Sequence, residues 1–257
     1  MGRCNRLQMR REKTRGHTSP RMAGPKVRRT DRPSRTAVGI AFAIAIAAAV
    51  ALVAVAVISR SDSSSAPPNP NPVVDLAGIP QSGRVLGSPA AKVMLIEYAD
   101  PQCPACRLYT EDFFPTLVRQ YVRPGNVKTE FRGFPFIGED SVKGYRFLLA
   151  AGEQDKLWNL AEALYRNQGA ENGGWVTDDL IRGLASQIPG LDVDKLFADA
   201  GRADIVQQAE GAEAAGTAAG LTQTPTFVIA VGKKQPYQVQ FGSVEQMRAA
   251  LDDALSN

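Results

Sequence analysis

Cys103 and Cys106 have the clearest potential for chemistry in this sequence, because they form the motif Cys103-Pro104-Ala105-Cys106. Two cysteines at this spacing can form a redox pair, supply half of a metal site, or have no chemical role. The 257-residue chain has three cysteines and one histidine, and the two remaining residues, Cys4 and His17, lie far from the motif. A four-ligand zinc site therefore lacks ligands, and we expect no metal. A structural disulfide would stabilise little over so short a loop, so a redox pair is favoured.

The elements predicted on either side of the motif favour an ionised Cys103. Residues 93–99 form a short apolar run typical of a buried strand, and a helical pattern begins at Cys103. The first N–H groups of a helix are unpaired and carry positive partial charge, which stabilises a thiolate. Pro104 suits the first helical turn, where its missing N–H is not needed. We therefore predict an exposed, nucleophilic Cys103 with a lowered pKa and a more buried Cys106 one turn later.

The rest of the sequence predicts alternating strands and helices. Further strands are expected at 127–131, 226–231 and 237–241, the last two as a hairpin. A helix with a kink at Pro115 is expected at 103–123, and a last helix capped by Ser243 should bury Leu255. The other predicted helices lie at 152–168, 177–187, 192–200 and 203–219. The order is β-α-β, a helical block at about 141–219, then β-β-α, which predicts a mixed α/β fold.

This chain resembles the DsbA-like branch of the thioredoxin superfamily in three features. These are a strand leading into Cys-Pro-Ala-Cys, the helical block, and Thr224-Pro225 before a strand-rich end. The resemblance covers roughly residues 83–257 and implies a thioredoxin-like fold with a helical insertion. It implies a cis bond before Pro225, with Thr224 and Pro225 beside the cysteines to bind extended substrates. It also implies that Glu97 assists proton transfer at Cys106. The apolar neighbours of Glu97 agree with a buried carboxyl of raised pKa, and a strand-end carboxylate facing water is the alternative.

Position 105 departs from the best-known strongly oxidising members of that family, which carry His where this chain has Ala105. Alanine offers neither a hydrogen bond nor a positive charge to the Cys103 thiolate, so the reduced form should be less favoured than in those proteins. Reduction potentials in the superfamily extend from about −120 mV for DsbA to about −270 mV for thioredoxin. We expect Pro104 and Ala105 to tune the potential of the cysteine pair to a value between these extremes.

The first 82 residues are predicted to form three segments ahead of the folded domain. Residues 1–36 form a basic, disordered arm, since residues 1–35 hold 12 of the 30 Lys and Arg residues and only two of the 26 acidic residues. Residues 37–58 carry no charge and would span about 33 Å as a helix, enough for a transmembrane anchor. A cleaved signal peptide is the alternative. Residues 59–82 are rich in Ser, Pro and Asn and are predicted to form a linker.

The resemblance implies a thiol–disulfide oxidoreductase, and the basic arm predicts its orientation. Basic residues before the anchor place the N-terminus in the cytoplasm and the folded domain outside a cell membrane, spanned once. We expect an oxidase that donates the Cys103–Cys106 disulfide to exported proteins, needs no other cofactor, and is reoxidised by a quinone-linked membrane protein. A disulfide reductase or isomerase is one alternative, and a non-catalytic thioredoxin-like binding module is another. Residues 36–257 hold 18 basic and 24 acidic residues, which argues against nucleic-acid binding by the folded part.

Overall fold

A six-stranded mixed sheet lies at the centre of the computed structural model, which describes residues 73–256. The strand order across the sheet is β1-β2-β4-β3-β5-β6. The strands span the following residues: β1 Gln81–Ser82, β2 Val85–Leu86, β3 Val93–Ala99, β4 Val127–Gly133, β5 Thr226–Val231 and β6 Tyr237–Val239. The central strands β3 and β4 are mostly buried, as expected for apolar runs covered on both faces.

Strand β3 delivers the cysteine motif to one edge of the sheet. It pairs in parallel with β4 and antiparallel with β5. In that register Glu97 is the partner of Phe131 on β4 and of Phe227 on β5. Residues directly opposite each other across neighbouring strands project from the same face. The carboxyl of Glu97 is therefore flanked by two aromatic rings on the face that the motif helix covers.

The motif helix has the kink predicted at Pro115. Helix α1 spans Pro104–Asp112, and helix α2 spans Phe114–Leu117 and runs into a π-helical turn at Val118–Val122. Pro115 has no N–H and cannot donate to the turn before it, which breaks the hydrogen-bond ladder between α1 and α2. The π-helical turn was not predicted. Its hydrogen bonds join residues five apart instead of four, and over one turn this leaves the helical spacing of apolar residues almost unchanged.

Within residues 73–256, five helices lie between β4 and β5, and one more follows β6. Helices α3 Glu139–Gly152, α4 Leu157–Arg166, α5 Asp178–Ala185, α6 Val193–Ala200 and α7 Ala203–Ala218 precede β5, and α8 Val244–Ser256 follows β6. Thr177 caps α5 by accepting a hydrogen bond from Leu180 N, and Ser243 accepts one from Gln246 N at the start of α8. The helix predicted at 152–168 is shorter and begins at Leu157. The burial predicted for Leu255 is wrong, since this side chain is exposed and Ala254 faces the core instead.

The folded domain begins before residue 83, where the sequence pattern placed its start. Leu76 and Ile79 are buried in the core, and β1 pairs with β2 ahead of β3. Two buried residues three positions apart and a two-residue strand are too short to give a periodic signal. The predicted arm, the predicted anchor at 37–58 and the linker up to residue 72 lie outside the described residues. Within residues 73–256 no helix is long and apolar enough to cross a membrane.

Candidate active site around Cys103 and Cys106

Cys103 is the N-cap residue of α1. Its backbone is extended, with φ −69° and ψ 118°, and Pro104 occupies the first helical turn. The N–H of Cys106 points at the Cys103 sulfur across 3.4 Å, while the Cys103 carbonyl accepts from Arg107 N at 3.2 Å. A sulfur in this position takes the place of the side-chain oxygen that usually caps a helix. Cys103 and Cys106 are both free thiols in the structure.

Four neighbouring groups lower the pKa of Cys103 to about 6 from an ordinary value of 9.0. The largest contribution is a hydrogen bond from the Cys106 thiol, and the Thr224 hydroxyl and the N–H groups of Cys106 and Ala105 add to it. Burial opposes them, because a charged sulfur loses hydration. The start of the helix therefore favours the thiolate as predicted, but the partner cysteine contributes more than the helix does.

Cys106 has the opposite character. It is fully buried, and this burial together with the charge of Cys103 raises its pKa well above the ordinary value of 9.0. Near neutral pH the pair therefore carries one negative charge, and that charge resides on Cys103. An asymmetry of this kind distinguishes a nucleophilic and leaving cysteine from an inner cysteine that stays protonated.

The exposure predicted for Cys103 is wrong in degree. Only 6% of its surface is accessible, while Pro104 and Ala105 beside it are exposed. The loop before β5 covers the sulfur, and the Thr224 carbonyl oxygen lies 3.3 Å from it. Sequence patterns around residue 103 hold no signal for a cover that comes from a distant part of the chain.

The Thr224-Pro225 loop lies against Cys103, and its peptide bond is cis. Pro225 is buried, and the Thr226 hydroxyl fixes the loop by donating to Gln223 O at 2.8 Å. The Thr224 hydroxyl oxygen is buried without a hydrogen-bond partner among the described residues. As a thiol, Cys103 donates to the Thr224 carbonyl. As a thiolate it becomes an acceptor, to which the Thr224 hydroxyl can donate a hydrogen bond.

Glu97 lies in the core beneath α1 and not in water. It is 1% exposed, and its Oε1 has no hydrogen-bond partner among the described residues. Burial, with a smaller contribution from the charge of Cys103, raises its pKa to about 8. Its carboxyl faces a small cavity, also lined by Thr110, Trp158 and Tyr165, with a volume of about 10 Å³ available to water. That space is about what one water molecule requires. Glu97 can thus hold a proton at neutral pH close to Cys106.

Asp100 anchors the loop between β3 and the motif, a role that the pair Asp100-Pro101 directly ahead of the cysteines also predicts from the sequence. Its buried carboxylate accepts hydrogen bonds from Gln102 N, the Ser141 hydroxyl and Ile137 N. The Gln102 side chain extends the network by donating to Ser141 Oγ and accepting from Asn172 N. An acidic residue between a strand and a cysteine motif is the only local hint of such a role. Within residues 73–256 no group of three potential metal ligands occurs.

Comparison with known proteins identifies the family. The family model described as thioredoxin matches residues 80–253, well over half of the chain. The chain belongs to the thioredoxin family. Among curated relatives of this thioredoxin-family chain, "Probable disulfide bond formation protein D" of Bacillus cereus is 34% identical over 130 residues, 48% of this chain and 58% of that protein. The chain spans between 54% and 66% of the length of the curated relatives it matches.

Solved structures agree with this family assignment. The crystal structure of oxidised BdbD from Bacillus subtilis aligns with a TM-score of 0.59 at 22% identity, covering 70% of this chain and 98% of that chain. A thioredoxin-like oxidoreductase from Silicibacter pomeroyi aligns with a TM-score of 0.52 at 27% identity, covering 70% of this chain and 93% of that chain. The thioredoxin-like α/β fold predicted from the sequence is thereby confirmed.

Proposed function

We propose that this chain is a thiol–disulfide oxidoreductase that works as an oxidase and donates its Cys103–Cys106 disulfide to exported proteins. The observation that carries this proposal is the asymmetry of the two cysteines. The pKa of Cys103 is lowered to about 6, and that of Cys106 is raised well above 9.0. Similarity to a protein named for disulfide bond formation supports the same reaction class.

The first step is attack on the outer sulfur. A thiolate of a reduced substrate attacks Cys103 Sγ, the Cys103–Cys106 bond breaks, and Cys106 leaves as a thiolate. The burial of Cys106 makes its charged form costly, so it takes a proton at once. Glu97, protonated below about pH 8, is the buried acid that supplies this proton.

The second step releases the product. A second substrate thiolate attacks the substrate sulfur that is bound to Cys103, and a new disulfide forms within the substrate. Cys103 leaves as a thiolate, which is a good leaving group because its pKa is low. The substrate loses two electrons and the enzyme gains them, ending with Cys106 as a thiol and Cys103 as a thiolate. Glu97 then regains its proton from solvent before the next cycle.

The direction of transfer follows from which form of the enzyme is stabilised. The Cys106 thiol, the Thr224 hydroxyl and two backbone amides favour the Cys103 thiolate, which exists only in the reduced protein. Stabilising the reduced form makes the disulfide a stronger oxidant. We therefore favour donation of the disulfide over its reduction.

The proposed location rests on the sequence before the domain. The uncharged segment 37–58 would anchor the chain in a cell membrane, and the basic residues ahead of it would keep the N-terminus in the cytoplasm. The domain then works outside, where disulfides persist. Each turnover leaves two electrons on the cysteine pair. A quinone-linked membrane protein is the electron acceptor that we propose, by resemblance to DsbA-like systems.

A substrate-oxidation assay tests the proposal. The oxidised full-length chain is mixed with a reduced, unfolded protein that has two cysteines, and formation of the substrate disulfide is followed with time. We expect one substrate disulfide for each enzyme disulfide, and none with Cys103→Ala. Reduction of an oxidised substrate by the dithiol form, with no oxidation of the reduced one, would make the chain a reductase. A Cys103→Ala variant that retains full function would point to a binding module.

A further inference from the structure

Three carbonyl oxygens of the loop that carries Cys103 accept hydrogen bonds from two side chains, one in the last turn of helix α4 and one just after it. The Tyr165 hydroxyl donates to Asp100 O at 3.2 Å. The Gln168 amide nitrogen Nε2 donates to Pro101 O at 2.8 Å and to Cys103 O at 3.1 Å. Tyr165 lies in the last turn of α4, and Gln168 follows two residues after the helix ends at Arg166, so both side chains come from the same end of α4.

The Pro101 carbonyl depends on a donor from outside the loop. The other two carbonyls also accept backbone hydrogen bonds, Asp100 O from Cys103 N at 3.0 Å and Cys103 O from Arg107 N at 3.2 Å. Pro101 and Pro104 have no N–H, so neither can form a turn hydrogen bond from its own backbone nitrogen. Pro101 is also buried, and a buried carbonyl left without a donor is costly. Gln168 meets this need from a position 67 residues further along the chain.

The carbonyl of Cys103 links these contacts to the sulfur. This carbonyl accepts both the first helical bond, from Arg107 N, and the bond from Gln168. Its direction is set by the same backbone rotation, ψ 118°, that places the sulfur over the start of α1. Holding the carbonyl therefore holds the geometry in which Cys106 N reaches Cys103 Sγ. Neither Tyr165 nor Gln168 bonds to the sulfur itself, so their action on it is indirect.

We propose that Tyr165 and Gln168 are positioning residues for Cys103. Through these two side chains, the helical segment 139–218 influences the reactivity of the cysteine pair. The proposal rests on the thiol–disulfide function proposed above. It gives the helices between β4 and β5 a role in the chemistry of the site. The polar network of Asp100 with Ser141 is a second attachment of the same loop to these helices.

The test replaces each donor by a side chain of similar shape that cannot donate. Gln168→Met and Tyr165→Phe are made in the full-length chain. Gln187→Met is the matched control, because Gln187 also donates its amide to a carbonyl, Gly183 O at 2.9 Å, but on the exposed end of another helix. For each protein we would measure the pH dependence of Cys103 alkylation, the equilibrium with a glutathione redox buffer, and the unfolding transition.

We expect the midpoint of Cys103 alkylation to move up by about half a pH unit in Gln168→Met, roughly a threefold change in ionisation, with a smaller move in Tyr165→Phe. The disulfide should become correspondingly less oxidising in both, and Gln187→Met should match the wild type. Unchanged midpoints and potentials in both folded variants would overturn the proposal. If Gln168→Met fails to fold, Tyr165→Phe decides. If both fail to fold, the contacts support the fold and not the cysteine, and the proposal is also wrong. A wild-type chain that exchanges no disulfides would instead refute the proposed function.

Discussion

The sulfur of Cys103 and the carbonyl oxygen of Thr224 lie 3.3 Å apart, although 121 residues separate them in the chain. The same threonine buries a hydroxyl with no partner among the described residues, and that hydroxyl contributes to the low pKa of Cys103. One residue thus shields the sulfur with its backbone and stabilises the thiolate with its side chain.

Replacing Thr224 by valine should raise the pKa of Cys103. Valine keeps the shape of threonine and removes the hydroxyl that favours the thiolate, so we expect the value of about 6 to increase by about half a unit to one unit. The ultraviolet absorbance of the thiolate, followed against pH, measures this change. Thr222→Val alters an exposed threonine of the same loop and should leave the titration unchanged. Equal titration curves for the two variants would exclude a role for the Thr224 hydroxyl.

Cys106 should affect the pKa of its partner more than Thr224 does. The Cys106 thiol makes the largest contribution to lowering the pKa of Cys103, so Cys106→Ala should raise that pKa by roughly one unit or more. Cys106→Ser keeps a donor in the same place and should raise it less. Rates of Cys103 alkylation against pH distinguish the two variants. A lower pKa in Cys106→Ala than in Cys106→Ser would contradict the proposed hydrogen bond.

Removing the buried charge of Glu97 should stabilise the reduced protein at neutral and alkaline pH. In the unfolded chain Glu97 loses its proton near its ordinary pKa of 4.5, but in the folded protein it keeps the proton up to about pH 8. The unfolded state therefore binds fewer protons within this window, and stability falls as the pH rises from about 4.5 to about 8. Glu97→Gln removes this loss and should gain roughly 5 kcal/mol at the upper end of the window, since each pKa unit corresponds to about 1.4 kcal/mol.

Urea unfolding of the reduced proteins at both ends of that window measures the effect of Glu97→Gln. The two proteins should differ little at the acidic end and most at the alkaline end. Glu213→Gln, a change at an exposed glutamate on α7, should behave like the wild type throughout. A difference between Glu97→Gln and wild type that does not vary with pH would show that Glu97 titrates normally.

Introducing histidine at position 105 should make the disulfide more oxidising. Ala105 is exposed beside Cys103, so a larger side chain fits there without disturbing the core. A histidine cation would stabilise the Cys103 thiolate and therefore the reduced form, shifting the potential by about 30 mV for each 1.4 kcal/mol gained. Equilibrium with a glutathione buffer gives the potential. Ala105→Gln adds volume without charge and should change it much less, so equal potentials for both variants would argue against the charge effect.

Local sequence patterns predicted the elements of the site better than their long-range contacts. The apolar run of β3, the cysteine motif and the start of α1 are adjacent in the chain, and each has a strong local signal. The contacts of Asp100 with Ser141 and of Gln168 with Cys103 join residues 41 and 65 positions apart. Serine and glutamine at those positions have no spacing that points to a partner. Which polar side chains meet is decided by how the helices between β4 and β5 pack on the sheet.

The burial of Glu97 and Cys103 shows the same difference between local patterns and long-range contacts. Glu97 has apolar neighbours on β3, so its burial was predictable from the strand itself. The cover over Cys103 comes from the Thr224 loop, which only the pairing of β3 with β5 brings near. For that reason the sequence predicted the ionisation of Cys103 correctly in direction but overstated its exposure.

The pH titration of Cys103 in the reduced full-length chain tests the central claim most directly. Alkylation is measured at a series of pH values, and mass spectrometry identifies the modified residue. We predict that Cys103 alone reacts under acidic and neutral conditions, with a midpoint near pH 6, while Cys106 stays protected. A midpoint near the ordinary thiol value of 9.0, or equal labelling of both cysteines, would contradict the account.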